Sequence, residues 1–353
     1  MKWKMALPIL AAALVALLVI AFSGTSTILS PEETASPSLA NQQAAAGSST
    51  TSTAPRATQG KAVVPDPAEI SRQNLTAAGA NLLKSIVNIY CTPKNGSSLS
   101  GASGSAVFID PRGLILTAAH IGEYFLLTDY PKHGLVDCVI RTGSPALTTY
   151  TASLVYLSPS WLKANSDTLV EKSPKGTGQD DFAILALTGT TTSNALPSSF
   201  TFVPLGTDTP TIGERVAIGA YAAQYLASDT IRLFLFPTIV FDAITDRFTF
   251  DTNTVDVLAV KGTAAAQEGS SGGGVVDEHN QLVGLITTSS IKGDISEHVL
   301  NAITPRHIRA SFAKDSNANL DSYLASADLK TLVSNFSAEY KTLQKILAAA
   351  IAR

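Results

Sequence analysis

The sequence is poor in cysteine, and charged residues make up only 15% of it. Its two cysteines, Cys91 and Cys138, exclude a disulfide-rich scaffold and a zinc site built from cysteines alone. Because 25 basic residues face 28 acidic ones, the net charge is −3 and we expect no nucleic-acid partner. Hydrophobic residues still account for 45% of the 353 residues, which is enough to build a core and excludes a wholly disordered chain.

An unbroken apolar run covers residues 5–22, directly after Lys2 and Lys4. Its length of about 18 residues lies between that of a secretory signal core and that of a membrane span. Since Ala21-Phe22-Ser23 is a poor cleavage site, we expect residues 1–22 to form an uncleaved signal anchor, a transmembrane helix. The alternative is a cleaved signal peptide, which would leave the protein secreted. Either way, the positive-inside rule places the rest of the chain outside the cytoplasm.

Residues 23–66 form a segment rich in Ser, Thr, Ala and Pro, with almost no aromatic residues. Such a composition cannot bury enough apolar surface to offset chain entropy, so we expect a disordered linker between membrane and domain. The spacing of apolar residues over 66–84 then predicts a helix, with a proline at an early position.

The middle of the chain is made of short β-rich segments separated by clusters of Gly, Pro, Asn and Asp. They cover residues 85–91, 104–110, 113–117, 138–141, 182–187, 215–218, 231–241, 255–260, 274–276 and 282–288. Many short strands with turn signals between them predict an all-β barrel or sandwich. The helix–strand alternation of a parallel α/β sheet is missing from this pattern.

After Pro305 the pattern becomes helical, and apolar residues between Leu329 and Leu347 fall on one helical face. We expect Ser326 to cap the start of this helix, within a C-terminal helical extension over 313–353. The extension is interpreted as a terminal helix packed against the β domain, and the alternative is an oligomer or partner helix.

A Gly/Ser loop over 269–274 contains the candidate nucleophile, Ser271. Flanking glycines let the backbone turn sharply, so the N–H groups of Gly269 and Ser271 can converge as an oxyanion hole. Ser270 is the neighbouring candidate.

Two further segments carry a candidate base and a candidate acid. His120 follows an apolar strand and Thr-Ala-Ala, and Asp181 precedes the apolar strand Phe-Ala-Ile-Leu-Ala-Leu, with Asp180 as the alternative acid. Together with Ser271, these residues supply the nucleophile, base and orienting acid that acyl transfer needs. The remaining histidines lack such a context: His133, His279, His298 and His307.

Four motifs in this order resemble those of trypsin/chymotrypsin-like serine peptidases, and among them the HtrA/Deg type. They are Ser103–His120, Asp181-Phe-Ala-Ile-Leu, Leu205–Gly219, and Gly269-Ser-Ser-Gly-Gly-Gly-Val-Val followed by Leu282-Val-Gly-Leu-Ile. The resemblance covers about residues 80–312. Because only about 48 residues follow Pro305, we expect no PDZ domain.

The resemblance implies a peptidase domain over 67–312 with two six-stranded antiparallel β-barrels, the first at about 84–190 and the second at about 200–305. It selects Asp181 as the acid that orients His120, with His120 as general base and Ser271 as nucleophile. Gly269 and Ser271 would supply the oxyanion N–H groups. No metal or organic cofactor is implied, the substrates are polypeptides, and the family allows a homo-oligomer.

Substrate contacts are also implied by the resemblance. Thr287, Thr288 and Ser289 would pair with an extended substrate backbone. Ala265 would lie at the base of the pocket for the P1 side chain and Glu268 at its rim, so we expect an uncharged, small-to-medium apolar P1 residue. Cys91 and Cys138 fall on strands of the first barrel, where they either form a disulfide or remain two buried small residues.

Several departures keep other functions open. No internal Ile-Val-Gly-Gly activation site is present and Ser270 replaces the acid of a zymogen switch, so we expect no pancreatic-type activation. Gln267-Glu268 replaces the usual Asn-Pro, which leaves a catalytically inactive or conditionally active peptide-binding barrel as the alternative. An α/β-hydrolase esterase would need the order Ser, Asp, His. A tethered structural or adhesive protein is a further alternative, and residues 157–179 look like an insertion.

Overall fold

Two antiparallel sheets and a set of C-terminal helices form the part of the chain that the structure, a computed structural model, describes: residues 66–94, 99–131, 134–171, 176–223, 226–250, 254–290 and 293–352. The predicted signal anchor over 1–22, and the predicted linker up to residue 65, lie outside these residues. None of the helices within the described ranges is long and apolar enough to cross a membrane.

The predicted N-terminal helix is confirmed as α1 (Pro67–Ser85). Asp66 caps it, because its side chain accepts a 3.0 Å hydrogen bond from the N–H of Ala68. Pro67 suits the first turn, because the N–H that proline lacks would have no partner within the helix there. Leu75 and Leu82 lie on its buried face. The helix ends where the β-rich sequence begins.

The first sheet is a closed six-stranded barrel with strand order β1-β2-β3-β6-β5-β4, as predicted for this half. Its strands are β1 (Ile86–Pro93), β2 (Ala102–Asp110), β3 (Leu114–Thr117), β4 (Val136–Thr142), β5 (Leu147–Leu157) and β6 (Ala183–Thr190). The sequence analysis missed β5, because its first half is polar, rich in threonine and mostly exposed, and only residues 154–157 are buried. Cys91 and Cys138 face each other across β1 and β4, and their sulfurs form a disulfide with an S–S distance of 2.02 Å.

The second sheet has seven strands and, within the described residues, is open rather than closed, with the order β8-β7-β11-β12-β13-β10-β9. Its strands are β7 (Arg215–Ala220), β8 (Thr238–Ala243), β9 (Asp246–Phe248), β10 (Val257–Lys261), β11 (Gly274–Val276), β12 (Leu282–Ser290) and β13 (Val299–Ile303). The expected second barrel is therefore present as a half-barrel, with seven strands instead of the predicted six. The exposed strand β9 adds an edge beside β10, and it does not pair with the other edge strand, β8.

The prediction of a strand over 231–241 is wrong for the first half of that range. Residues 228–233 form a short helix that starts at Ser228-Asp229, and the strand begins only after Pro237. Small polar residues favour a helix start, and proline cannot donate within a strand ladder.

Among the described residues after β1, three short α-helices lie between strands and four more follow the second sheet. They are α2 (Ala119–Gly122), α3 (Pro159–Asn165), α4 (Ser228–Leu233), α5 (Pro305–Ser316), α6 (Leu320–Ala325), α7 (Leu329–Asn335) and α8 (Ser337–Ile351). One cluster of buried apolar residues unites the first barrel, α1 and the C-terminal helices, and a second cluster fills the second sheet.

The C-terminal extension packs on the first barrel, which supports the packing interpretation. Its predicted cap is wrong: Ser326 ends α6, and the N-cap of α7 is Asp328, whose carboxylate accepts a 2.8 Å hydrogen bond from Thr331 N–H. In α8, the Tyr340 hydroxyl donates to Phe125 O at 3.0 Å. The predicted insertion contains α3. Just before this helix, the hydroxyls of Tyr156 and Ser158 donate hydrogen bonds to Asp315 of α5.

Candidate active site

His120 and Asp181 meet because β3 and β6 are neighbours in the first barrel. Thr117 at the end of β3 lies opposite Ala183 at the start of β6, so the residues beyond these two strand ends share one edge. Asp181 Oδ2 lies 2.8 Å from His120 Nδ1, and Asp181 Oδ1 accepts a 3.0 Å hydrogen bond from the backbone N–H of His120. The acid therefore fixes both the backbone and the ring of the histidine.

The environment of this pair sets its protonation. Burial lowers the pKa of His120, but the charge and hydrogen bond of Asp181 more than offset this, so the pKa is raised above its ordinary value of 6.5. The carboxylate can only accept, so the proton of the neutral imidazole lies on Nδ1 and Nε2 is left as a free acceptor. The His120 side chain is 32% exposed and that of Asp181 only 5%, so the histidine can be reached from solvent while the acid stays covered.

The Gly/Ser loop is joined to the first barrel through Ser105 of β2. Its N–H donates to Ser271 O at 2.7 Å, and its hydroxyl donates to Gly269 O at 2.8 Å while accepting from Tyr221 N–H at 2.8 Å. The sequence analysis assigned no role to Ser105, although it lies in the Ser103–His120 motif. Ser271 is thereby held against the strand that neighbours β3.

Gly272 shows how closely the loop approaches the barrel. Its φ is +84°, and a Cβ at this position would lie 2.0 Å from Ser105 O and 2.4 Å from Thr117 Oγ1. Any other residue would collide with the first barrel. Since Thr117 precedes His120 by three residues, the Gly/Ser loop lies close to the strand end that leads to His120. No hydrogen bond joins Ser271 Oγ to His120 Nε2 in the described chain, as is common before substrate binds.

The turn leaves two backbone donors free. Glu268 O accepts a 2.8 Å hydrogen bond from Ala223 N–H, and in a trans peptide the N–H of Gly269 points the opposite way. Within the ranges that the structure describes, neither Gly269 N–H nor Ser271 N–H has an acceptor. Two unsatisfied N–H groups on either side of one residue are the donors that an oxyanion hole needs.

Residues 104–285 match the family model of the trypsin-like peptidase domain, and this range takes in more than half of the chain, including His120, Asp181 and Ser271. The chain belongs to this family. It is a serine-type peptidase, and its substrates are polypeptides. The esterase alternative is wrong, because neighbouring strands of both sheets run antiparallel, as in β3–β6 and β11–β12.

Two solved structures are similar to the peptidase. The active form of Rv3671c protease from M. tuberculosis has 17% identity and a TM-score of 0.42, over 72% of this chain and 88% of that chain. The inactive form of Rv3671c protease has 17% identity and a TM-score of 0.41, over 71% of this chain and 97% of that one. No curated protein matches the peptidase.

The two serines of the loop differ in their hydroxyl partners. Ser270 is buried, and its Oγ donates to Ala265 O at 2.8 Å. Ser271 is half-buried, and its Oγ has no hydrogen-bond partner among the described residues. Of the two, Ser271 has the hydroxyl that is free to react.

The predicted substrate contacts lie around this loop. Ala265 is buried below Ser270, and the Glu268 side chain is exposed. The Gly/Ser loop pairs with β12 at Ile286. Gly272 N–H donates to Ile286 O at 2.7 Å, and Ile286 N–H donates to Gly273 O at 2.9 Å. Beyond Ile286, the described residues show no further backbone pairing on the loop side of β12. Of the following residues, Thr288 and Ser289 pair on one side only, with β13, whereas Thr287 lies at a bulge in that pairing. The three residues change from buried to exposed along the strand.

The other aspartate of the tandem turns away from His120. Asp180 has a left-handed φ of +57° and pairs with His307 of α5, whose Nε2 lies 2.9 Å from its Oδ1. This pairing joins residues 127 positions apart, so the sequence around His307 carries no local signal for it.

Glu123 is a second titratable residue that the sequence analysis missed. It lies one turn after His120 and is 1% exposed, and its Oε2 has no hydrogen-bond partner within the described chain. Burial, together with the nearby charge of Asp181, raises the pKa of Glu123 well above its ordinary value of 4.5. In the sequence, the signal for Glu123 is its position three residues after the candidate base, among apolar residues.

Proposed function

We propose that this peptidase is a membrane-anchored endopeptidase that acts outside the cytoplasm and cleaves peptide bonds through an acyl-enzyme on Ser271. The observation that carries the catalytic part is the Asp181–His120 pair, in which both carboxylate oxygens contact the histidine, one its backbone N–H and the other its ring. The closing of the turn that holds Ser271 on Ser105 and Thr117 supports the same assignment.

In this mechanism His120 Nε2 takes the proton of Ser271 Oγ as the oxygen attacks the substrate carbonyl. The negative charge that develops on the carbonyl oxygen is bound by the N–H groups of Gly269 and Ser271. The imidazolium, stabilised by Asp181, then gives its proton to the leaving amine as the peptide bond breaks. In the second half, His120 takes a proton from a water molecule that attacks the acyl-enzyme. The ester bond to Ser271 Oγ breaks, His120 returns the proton to Oγ, and the acid product is released. Loss of one oxyanion donor typically costs about 10²–10³-fold in kcat.

The substrate is proposed to bind as an added strand. The open side of β12 from Thr287 to Ser289 offers backbone donors and acceptors to an extended chain. The uncharged Ala265 beneath the loop favours a small-to-medium apolar P1 side chain, and the exposed carboxylate of Glu268 disfavours acidic ones. Cleavage-site profiling with a peptide library tests this, and a preference for Lys, Arg, Asp or Glu at P1 would overturn it.

The membrane part of the proposal rests on the apolar run over 5–22 and on Lys2 and Lys4 before it. The Cys91–Cys138 disulfide supports an oxidising compartment outside the cytoplasm. Alkaline extraction of membranes and protease shaving of intact cells test the anchor and its orientation. Release of the full-length chain by alkali, or a mature N-terminus beyond residue 23, would contradict an uncleaved anchor.

Hydrolysis of a denatured protein by the full-length chain, read by mass spectrometry, tests the catalytic part. Ser271→Ala should lower kcat by about 10⁶-fold, since the nucleophile acts as a unit with its base. Ser326→Ala, at the exposed end of α6, is the matched control and should retain full activity. Cleavage that survives Ser271→Ala would overturn the proposal. A wild-type protein that binds peptides without cleaving them would favour the peptide-binding alternative.

A further inference from the structure

A second His–Asp pair lies directly behind the candidate acid. His307, in the first turn of α5, has a side chain that is 10% exposed, and its Nε2 lies 2.9 Å from Asp180 Oδ1. Its Nδ1 lies 3.5 Å from Asp256 Oδ1, before β10. The ring also lies against Phe250, with 4.9 Å between the ring centroids. The imidazole therefore sits between two carboxylates in a nearly closed space.

Asp256 does not depend on this imidazole. Its carboxylate accepts hydrogen bonds from Phe250 N–H at 2.9 Å and from two threonine hydroxyls, and its backbone carbonyl accepts from Thr304, the N-cap of α5. Asp256 and Thr304 thus fix the position of His307 from the second sheet. The other partner of His307 is Asp180, which lies in the turn before β6.

Asp180 occupies a turn whose geometry decides where Asp181 points. Its carbonyl accepts a 2.9 Å hydrogen bond from Phe182 N–H, and its left-handed φ is uncommon for a residue other than glycine. Aspartate tolerates this conformation when its side chain is held. Here α5 holds it, through His307. The nearby charged or titratable groups are Asp256, Lys314 of α5 and Tyr156 of β5.

We propose that His307 and Asp180 are positioning residues of the peptidase: the pair holds the turn before β6 so that Asp181 stays within hydrogen-bond reach of His120. The inference rests on the catalytic roles proposed above. It connects the chain that follows the second sheet with the acid of the first barrel. Because a displacement of about 1 Å at a catalytic group can cost about 10²-fold, a contact outside the reacting set can govern kcat.

The test compares two buried histidines in the full-length protein. His307→Ala should lower kcat by about 10–100-fold, since the turn that carries Asp181 loses its contact with α5. His307→Gln keeps an N–H donor on the same helix and should recover most of this loss. His298→Ala removes another buried histidine, which directly precedes β13 in the second sheet, and should leave kcat unchanged.

A second variant separates the pair from the backbone conformation. Asp180→Gly keeps access to a positive φ but removes the carboxylate, so it should lower kcat as much as His307→Ala does. The double variant should lose no more than either single variant, since both changes break one contact. Wild-type kcat in Asp180→Gly would overturn the proposal. This outcome can be measured even if His307→Ala does not fold.

The pH profile gives a readout that a merely structural role would not move. Asp181 is what raises the pKa of His120, and Glu123 is the other acid near this pair. A looser Asp181 should shift the acid limb of kcat/KM to lower pH in His307→Ala but not in His298→Ala. If both variants lose thermal stability while kcat and pH profile stay as in the wild type, His307 is only structural and the proposal is wrong. Activity that survives Ser271→Ala would instead remove the proposed function itself.

Discussion

Two consecutive aspartates, Asp180 and Asp181, hold two histidines in opposite directions. Asp181 binds His120, whose side chain is 32% exposed and can be reached from solvent. Asp180 binds His307 of α5, whose side chain is 10% exposed and packs against Phe250. We therefore expect the pair that solvent can reach to act in catalysis, and the covered pair to hold the turn in place.

The largest expected difference between the pairs comes from exchanging each aspartate for asparagine. Asp181→Asn should lower kcat by about 10⁴-fold, because the amide no longer holds the reactive tautomer of His120 or stabilises its imidazolium. Asp180→Asn keeps an acceptor for His307 and tolerates the left-handed conformation, so it should cost less than about tenfold. Steady-state kinetics of the two variants measure this contrast, and equal losses would remove the distinction between the pairs.

The next effect is the pH dependence of the exposed pair. Catalysis needs neutral His120, so kcat/KM should rise about tenfold per pH unit on the acid side and then level off. Because Asp181 raises the pKa of His120 above 6.5, the midpoint of this rise should lie above pH 6.5. A pH–rate profile with a soluble peptide measures the midpoint. A flat profile from acid to neutral pH would exclude His120 as the base.

A smaller effect concerns stability around the exposed pair, through Glu123. The pKa of this acid is raised in the folded protein, so above pH 4.5 the folded state keeps a proton that the unfolded chain has lost. The free energy of unfolding should then fall by up to about 1.4 kcal/mol per pH unit, until the pH exceeds the raised pKa. Glu123→Gln is neutral at every pH and should remove this slope in urea unfolding. Equal slopes in both proteins would show that Glu123 is ionised when folded.

The smallest effect belongs to a third pair of a histidine and an acid, on the surface. His279 Nε2 lies 3.9 Å from Glu278 Oε1 in the turn before β12, and the His279 side chain is 68% exposed. Surface pairs of this kind contribute little, so His279→Ala should change the free energy of unfolding by less than about 0.5 kcal/mol and leave kcat unchanged. A larger loss of stability or activity would show that exposure does not distinguish the three pairs.

The sequence predicted the parts of the molecule that have local signals. The helix over 66–84, most strands and the resemblance to trypsin-like peptidases follow from periodicity and from motifs around His120, Asp181 and Ser271. β5 escaped because its polar threonines do not alternate clearly with apolar residues. The open second sheet could not be foreseen, since closure depends on which distant strand edges meet.

The second pair shows the same limit at the level of single residues. His307 lies in an ordinary helix start, and only the packing of α5 against the acid turn brings it to Asp180. Ser105 likewise gains its role from contacts with Gly269, Ser271 and Tyr221, which come from the other half of the domain. Long-range contacts of this kind leave no trace in local spacing.

Fluorophosphonate labelling of the full-length protein, followed by peptide mapping, tests most directly whether the Asp181–His120 pair activates Ser271. We expect an adduct on Ser271 alone, formed slowly or not at all in Asp181→Asn and formed at a rate close to that of the wild type in Asp180→Asn. An adduct on Ser270, or equal labelling rates in the wild type and Asp181→Asn, would contradict the division of roles between the two aspartates.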